Sequence, residues 1–268
     1  MRSHFLRLGR DADGLKPRIV LLGTGTAFHS DGRGSQAILL EDASIGSLLV
    51  DIGPTAMCAM TRYGVDYERI DRLFVTHLHG DHVAGWPFFV LNLALEKRRT
   101  RPFDVWGPVG VRDSLEGLVG LCYGEIVSEA KRSFEVRYHE LALEERSGID
   151  AGRGLALDVL PMRHHPTSIA YRFLWDARSV AVTGDTGWCE NLERLARGSR
   201  WLLAECTWRE EGPGPHLSLA ELRRGRERLG DCEILLVHLT DEVAAALAAQ
   251  PIRGVSATRD GLELPLGR

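Results

Sequence analysis

The chain of 268 residues is 44% hydrophobic and 26% charged, a globular balance that excludes a disordered or fibrous protein. Its formal net charge of −4, with ten histidines counted as neutral, provides no overall basic field that would attract nucleic acid. This length fits one large α/β core, so we expect a single domain over residues 1–268.

Membrane, export and cysteine signals all favour a cytoplasmic protein without a membrane partner. No apolar run approaches the roughly 20 residues that a bilayer-spanning helix needs. The opening MRSHFLRLGRDADG lacks the apolar core of an export signal. The cysteines are odd in number, widely spaced and never arranged as CxxC, which predicts reduced structural thiols: Cys58, Cys122, Cys189, Cys206 and Cys232.

Short apolar segments closed by Gly, Asp or turn residues predict strands along the whole chain. In chain order they cover 18–23, 36–41, 47–51, 72–76, 103–107, 134–141, 155–161, 170–175, 179–185, 200–205 and 233–239. Helical patterns fall between them, at 54–64, 82–97, 109–121, 190–198, 219–230 and 242–250. This alternation, without linker or repeat, predicts helices on the outer faces of sheet in one layered α/β domain.

The stretch LFVTHLHGDHVAGW concentrates four metal-binding side chains in six positions. In extended chain just after a strand, His77 and His79 point the same way, which suits one metal. Gly80 permits a sharp change of direction, and Asp81 and His82 then point to different azimuths at the start of a helix, which suits a second metal. Nitrogen and carboxylate donors without thiolate predict zinc, with manganese or iron as alternatives.

These four residues form the pattern HxHxDH, which resembles the signature of the metallo-β-lactamase superfamily. The resemblance implies a four-layer αββα sandwich with a two-metal site at one edge of its two sheets. Asp51, at the end of SLLVD, resembles the aspartate of that family that orients the histidine loop without binding metal.

The same resemblance implies three more ligands downstream. In PMRHHPTSIAYRF, His164 lies seven positions before Tyr171 and is preferred over His165. Asp185 in VTGDT resembles the bridging aspartate, and His238 in LLVHLT resembles the last ligand. A water or hydroxide between the two ions would be the nucleophile of a hydrolase. The implied ligand sets are His77, His79, His164 and Asp185 for one metal, and Asp81, His82, Asp185 and His238 for the other.

The stretch LLAECTWREEGPGPHLSLAEL resembles the ribonuclease Z branch, in which a HEAT segment precedes an HST segment. The resemblance implies that His216 protonates the leaving oxygen with support from Glu205, and these two residues form the predicted catalytic set together with Asp81. An alkoxide needs such a proton, and an imidazole held by a carboxylate supplies it near neutral pH. Ala204 replaces the HEAT histidine, which we expect to remove a hydrogen-bonding partner.

The residues around His216 leave a second interpretation open. SLAE forms a capping box, so Ser218 is predicted to cap a helix that begins after it, with Glu221 at the third helical position. His216 would then lie just before this helix, either facing the metals or exposed in a loop.

Ribonuclease Z carries a long tRNA-gripping arm before the bridging aspartate, whereas Tyr171 and Asp185 leave room here for one tight turn. The basic runs KRRTR at 97–101 and RRGRER at 223–228 are interpreted as solvated faces and not as substitutes for the arm. Large structured RNA is therefore disfavoured as a partner.

The leading hypothesis is a two-metal phosphodiesterase acting on a small or nucleotide-like diester. The alternatives are a hydrolase of carboxylic esters, lactones or thioesters on the same fold, and a tRNA 3′-endonuclease of the ribonuclease Z type. A redox or non-catalytic protein is disfavoured, because no flavin partner domain is present and no ligand is lost. Pairing as a homodimer is an additional expectation from the resemblance.

Overall fold

The computed structural model describes residues 15–29 and 31–266. The first 14 residues, on which the expectation about export depends, lie outside this part. The strands are β1 Arg18–Gly23, β2 Ala37–Asp42, β3 Gly46–Val50, β4 Ile70–Phe74, β5 Phe103–Pro108, β6 Val136–Leu141, β7 Arg146–Asp150, β8 Ala156–Pro161, β9 Ile169–Trp175, β10 Arg178–Val182, β11 Trp201–Glu205, β12 Glu233–Val237, β13 Val255–Ala257 and β14 Glu263–Pro265. The helices are α1 Ala56–Arg62, α2 Gly80–Val83, α3 Trp86–Leu91, α4 Val111–Val127, α5 Glu190–Arg197, α6 Leu219–Gly225 and α7 Asp241–Ala249.

The strands of the described residues form two seven-stranded sheets. The first has the order β14-β1-β2-β3-β4-β5-β6, and the second has the order β13-β12-β11-β10-β9-β8-β7. Strands β3 to β6 run parallel to one another, as do β10 to β13. Strand β8 is antiparallel to β9, which is antiparallel to β10, so β8 ends at the same edge as β10.

Alternating side chains of each strand fill different layers of the core. In β1, Ile19 and Leu21 face the second sheet, while Val20 and Leu22 pack toward the helices on the outer face. Between the sheets, Phe74 of β4 contacts Phe173 of β9 edge-to-face, with ring centroids 5.0 Å apart. A third cluster of buried side chains, which includes Leu202 of β11, lies between the second sheet and its helices. These layers confirm the predicted αββα sandwich.

The strand and helix predictions are correct in most places, and the departures have local causes. Strand β7 was not predicted, because its side chains are mostly exposed and show no apolar alternation. Strands β13 and β14 have three residues each, too short for a pattern. The helix predicted over 82–97 divides into α2, α3 and a π-helical turn at Asn92–Glu96.

Two interpretations of single side chains were wrong. Arg99, assigned to a solvated basic face, is buried, and its guanidinium donates to the carbonyl oxygens of Glu68, Ile70 and Pro102 and to Asp71. It therefore satisfies several backbone acceptors around it. The cysteines are free, but only Cys206 and Cys232 are buried, whereas Cys58 and Cys122 are exposed.

No helix within the described residues is both long and apolar enough to cross a membrane.

Candidate metal centre

The predicted ligands meet because they follow strands that end at one edge of the sandwich. His77 lies after β4, His164 after β8, Asp185 after β10 and His238 after β12. Parallel strands bring their carboxyl ends to the same edge, which is where ligand sites form in such sheets. Asp51, directly after β3, and His238 have positive φ angles of 57° and 48°, a backbone conformation that non-glycine residues rarely adopt and that concentrates at functional sites.

The first group of donors consists of His77, His79 and His164, whose nitrogens all lie within 4.8 Å of one another. His164 Nε2 is 3.3 Å from His79 Nδ1. The neighbouring His165 is not part of this group, and its Nδ1 is engaged by Thr167. The structure thus places His164, the preferred residue of the pair, among the donors.

The second group consists of Asp81, His82, Asp185 and His238, again with donor atoms within 4.8 Å of one another. Asp185 lies between the two groups. Its Oδ2 is 3.4 Å from His238 Nε2 and 3.8 Å from both His77 Nε2 and His164 Nε2, while its Oδ1 is 3.4 Å from His82 Nε2. This position is the one expected of a carboxylate shared by two ions.

Asp51 holds the histidine loop from behind. Its Oδ1 accepts the Thr76 backbone N–H at 2.8 Å, and its Oδ2 accepts from Thr76 Oγ1 and from His82 Nδ1, both at 2.8 Å. With Nδ1 engaged, His82 presents Nε2 to the donor group. Thr76 Oγ1 also lies 3.2 Å from His77 Nδ1, so the same aspartate orients a second ring through the hydroxyl.

Thr207 is a site residue that the sequence reasoning missed. Its hydroxyl donates to Glu205 Oε2 at 2.9 Å and lies 3.1 Å from His238 Nδ1, so it accepts from that ring and turns His238 Nε2 toward Asp81. The signal was available, because Thr207 occupies the threonine position of the HEAT-like segment AECT.

His216 and Glu205 form the predicted pair. His216 Nδ1 donates to Glu205 Oε1 at 2.8 Å, which leaves Nε2 without an assigned partner among the described residues. The His216 ring lies 4.6 Å from His164 and stacks parallel to His238 at 5.7 Å, between the two donor groups. Its side chain is 20% exposed, so a substrate can reach it. The alternative interpretation, in which His216 is exposed in a loop, does not agree with the structure.

The substitution at Ala204 does not have the expected effect. Ala204 and Glu205 are consecutive in β11, so their side chains point to opposite faces. Ala204 packs in the core cluster beneath the helices, whereas Glu205 faces the site and also accepts the Thr186 backbone N–H at 2.7 Å. In this chain a side chain at position 204 lies away from the Glu205 carboxylate, so the interpretation of a lost hydrogen-bonding partner was wrong.

The electrostatics of the first donor group keep its histidines neutral. Burial, reinforced by neighbouring histidines, lowers the pKa of His77 well below its usual value, and burial lowers the pKa of His164 to about 4. A neutral imidazole has the lone pair that a metal requires.

The second group is dominated by carboxylates. Burial acts to lower the pKa of His82 and His238, but Asp185 and its neighbouring carboxylates outweigh burial and raise both values. Burial likewise acts to lower the pKa of His216, and the hydrogen bond and charge of Glu205 raise it overall. The site therefore favours positive charge at its centre.

The residues present fit a divalent cation. His77 Nε2, His82 Nε2 and Asp185 Oδ1 are buried, point into the site and have no hydrogen-bond partner among the described residues. Buried polar atoms without partners are costly unless something satisfies them. Imidazole nitrogens and carboxylate oxygens without thiolate suit zinc and similar divalent ions.

Comparison with known proteins identifies the family to which the chain belongs. The model of the family described as anti-Pycsar protein Apyc1 matches residues 17–254. The chain belongs to the Apyc1 family. It is also 27% identical to a protein named ribonuclease Z from Ignicoccus hospitalis over 267 aligned residues, which cover 84% of this chain and 88% of that protein.

Two further comparisons concern a human protein. This Apyc1-family chain is 32% identical over 126 residues to human zinc phosphodiesterase ELAC protein 1, which covers 46% of this chain and 33% of that protein. The crystal structure of the short form of human tRNase Z, ELAC1, superimposes with a TM-score of 0.77 at 20% identity, covering 94% of this chain and all of that one. These similarities confirm the metallo-β-lactamase fold and the resemblance to the ribonuclease Z branch.

Proposed function

We propose that the protein is a metal-dependent phosphodiesterase that hydrolyses a small or nucleotide-like phosphodiester. The observation that carries the proposal is the hydrogen bond between His216 and Glu205 beside the two donor groups. This pair serves a reaction in which an oxygen leaving group needs a proton. The names of the relatives, ribonuclease Z and zinc phosphodiesterase, support the same reaction class.

We further propose two divalent ions, zinc in the first instance, held in the two groups that share Asp185. Bound there, they would lower the pKa of a water molecule and stabilise negative charge on the attacking and leaving oxygens. The ligand assignments remain those of the sequence: His77, His79, His164 and Asp185 for one ion, and Asp81, His82, Asp185 and His238 for the other.

The protein's own residues provide orientation and the proton. Asp51 and Thr207 hold His82 and His238 by their outer nitrogens, which keeps the inner nitrogens directed into the site. Glu205 fixes the His216 ring, and His216 Nε2–H donates a proton to the leaving oxygen. Burial acts to lower the pKa of His216, but the hydrogen bond and charge of Glu205 outweigh burial and raise it, which favours the protonated ring.

The short connection between strands β9 and β10, before Asp185, favours a small substrate over structured RNA. Strands β9 and β10 are joined by Asp176 and Ala177 alone, which confirms the tight turn predicted where ribonuclease Z carries its arm. The basic run 223–228, at the end of α6 and in the turn after it, is mostly exposed, and Arg224 and Arg228 pair with Glu211 and Glu193. We also propose that the protein is cytoplasmic and pairs as a homodimer, and its free cysteines support a reducing compartment.

The substitution His216→Ala tests the general acid. For a dinucleoside monophosphate, whose leaving group is an alkoxide, we expect kcat to fall about 100-fold or more. For methyl 4-nitrophenyl phosphate we expect kcat to fall by less than about 5-fold, because nitrophenolate departs without a proton. Steady-state kinetics on zinc-loaded protein give both numbers.

The controls separate proton donation from metal binding, since His216 also lies within 4.8 Å of ligand-type atoms in both groups. The metal content of His216→Ala, measured by elemental analysis, should match that of the wild type. The control variant His139→Ala should change neither rate, since His139 of β6 pairs with Asp104 of β5. Equal losses on the two diesters would exclude the general-acid role. Turnover of a lactone or thioester without turnover of either diester would favour the ester hydrolase instead.

A further inference from the structure

His165, set aside as a ligand, has a conformation that needs another explanation. Residues His165 to Ser168 form a tight turn in which the Ser168 N–H donates to the His165 carbonyl at 2.9 Å, with Pro166 at the position that favours such turns. The His165 N–H donates to Ser168 Oγ at 3.1 Å. The backbone on both sides of the ring is therefore fixed.

The ring itself is held in one tautomer. The Thr167 backbone N–H donates to His165 Nδ1 at 3.3 Å, so Nδ1 is an acceptor, and Thr167 Oγ1 lies 2.9 Å from the same atom. In a neutral imidazole with Nδ1 as acceptor, the proton resides on Nε2. Thus the turn presents an oriented Nε2–H donor, which has no assigned partner among the described residues.

The ring that carries this donor lies beside the first donor group. The His165 ring is 4.9 Å from the ring of His79, in an edge-to-face arrangement, and His79 belongs to the first donor group. His79 is exposed and His165 is half-buried, so both border the open side of the site. An oriented donor at such a place costs no reorganisation when charge develops nearby.

We propose that His165 Nε2–H donates a hydrogen bond to a non-bridging phosphoryl oxygen of the substrate. This inference rests on the proposed phosphodiesterase function and adds a substrate contact to it. The position of His165 favours a phosphoryl oxygen as the acceptor. When the phosphorus lies between the two donor groups, a non-bridging oxygen lies beside the first donor group, which contains His79. Thr167 is the positioning residue that keeps the His165 ring in the required tautomer.

The test compares His165→Ala with His165→Gln, whose amide nitrogen replaces the lost donor. With methyl 4-nitrophenyl phosphate as substrate, we expect kcat/KM to fall about 10-fold in the alanine variant and to recover partly in the glutamine variant. The inhibition constant of inorganic phosphate, measured by competition, should rise in parallel for His165→Ala. Zinc content should stay at the wild-type value, because His165 is not a ligand.

The matched control is His139→Ala, which removes a histidine that pairs with Asp104 away from the site and should leave both constants unchanged. Unchanged phosphate inhibition and unchanged kcat/KM in His165→Ala would overturn the proposal, as would a loss of zinc. A loss seen only with ribonucleoside diesters and not with the methyl ester would assign the contact to a sugar hydroxyl and contradict it. If wild-type protein turns over neither diester, the proposed function itself fails.

Discussion

Asp51 shows how one buried carboxylate organises several ligands. It accepts two hydrogen bonds from Thr76 and one from His82, and through the Thr76 hydroxyl it also reaches His77. Its carboxylate fixes the tautomer of His82 and the path of the chain between β4 and α2. A neutral amide at this position would keep the shape and lose one of the two acceptor oxygens, so the two contributions can be separated.

The substitution Asp51→Asn makes that separation. Asparagine tolerates the positive φ of 57° at this position, so the backbone is retained. Its amide nitrogen, however, cannot accept from His82, and we expect zinc affinity to fall about 10- to 100-fold. Competition with a chromophoric chelator gives the dissociation constant. An unchanged constant in a folded variant would contradict the orienting role.

Most residues of the site could be predicted because their signals are local. The spacing of His77 to His82 is a short motif, and Asp51, Asp185 and His238 stand in short segments at the ends of apolar strands that resemble those of the family. The choice between His164 and His165 depends on which way one turn faces, and the role of Thr207 depends on a contact with a residue 31 positions away. The family resemblance indicates these positions, but the contacts that give each residue its role are set by tertiary structure.

At the level of elements, the segment that carries His216 is fixed by the start of α6. Ser218 Oγ accepts the Glu221 N–H at 3.2 Å, and the Glu221 carboxylate accepts the Ser218 N–H at 3.0 Å, which confirms the predicted capping box. His216 precedes this cap by two residues. The cap thus stabilises the helix and limits where the loop before it can go.

Loss of the cap should affect stability far more than chemistry. For Ser218→Ala we expect the free energy of unfolding to fall by about 1 kcal/mol, because one helical N–H loses its acceptor. Because the Glu205 contact remains, kcat should stay within about 2-fold. Urea unfolding and steady-state kinetics measure the two effects. Glu221→Gln, which preserves a capping box, is the milder control.

Two of the elements also show structural features that the sequence pattern does not predict. Strand β7 is exposed along most of its length, and it pairs with β8 without an apolar face of its own. The predicted helix over 82–97 contained the right apolar periodicity, but its backbone bends after α2 and becomes π-helical after α3. Trp86 and Phe89 of α3 are buried against the first sheet, and such packing is not visible in periodicity.

At the scale of the whole molecule, several large apolar side chains on neighbouring helices are exposed among the described residues. Phe88 and Leu95 near α3 and Leu121 and Ile126 on α4 are exposed by between 45% and 87%. Exposed apolar surface on helices that pack together, as α3 and α4 do, is typical of an interface. It supports the proposed homodimer, in which a second copy would cover this surface.

The substitution Leu121→Asp tests this pairing, since its side chain is 87% exposed and its replacement should not disturb the fold. We expect the dimer dissociation constant, measured by light scattering over a dilution series, to rise at least about 10-fold, because a charge would be buried without a partner. Leu143→Asp, exposed by 46% elsewhere, is the matched control. A monomeric wild type would contradict the proposal.

The two groups of donors come from both sheets, so the interior of the sandwich sets the distance across the centre. Tyr171 of β9 donates to the Val75 carbonyl at 2.8 Å, and the Ile169 N–H donates to the Thr76 carbonyl at 2.9 Å, two bonds that tie the second sheet to the chain just before His77. The rings of Phe74, Tyr171 and Phe173 fill the space behind them. This aromatic layer acts as a spacer. Replacing one of its rings by a smaller side chain would change the distance between Asp185 and His77 without altering any residue that touches the substrate.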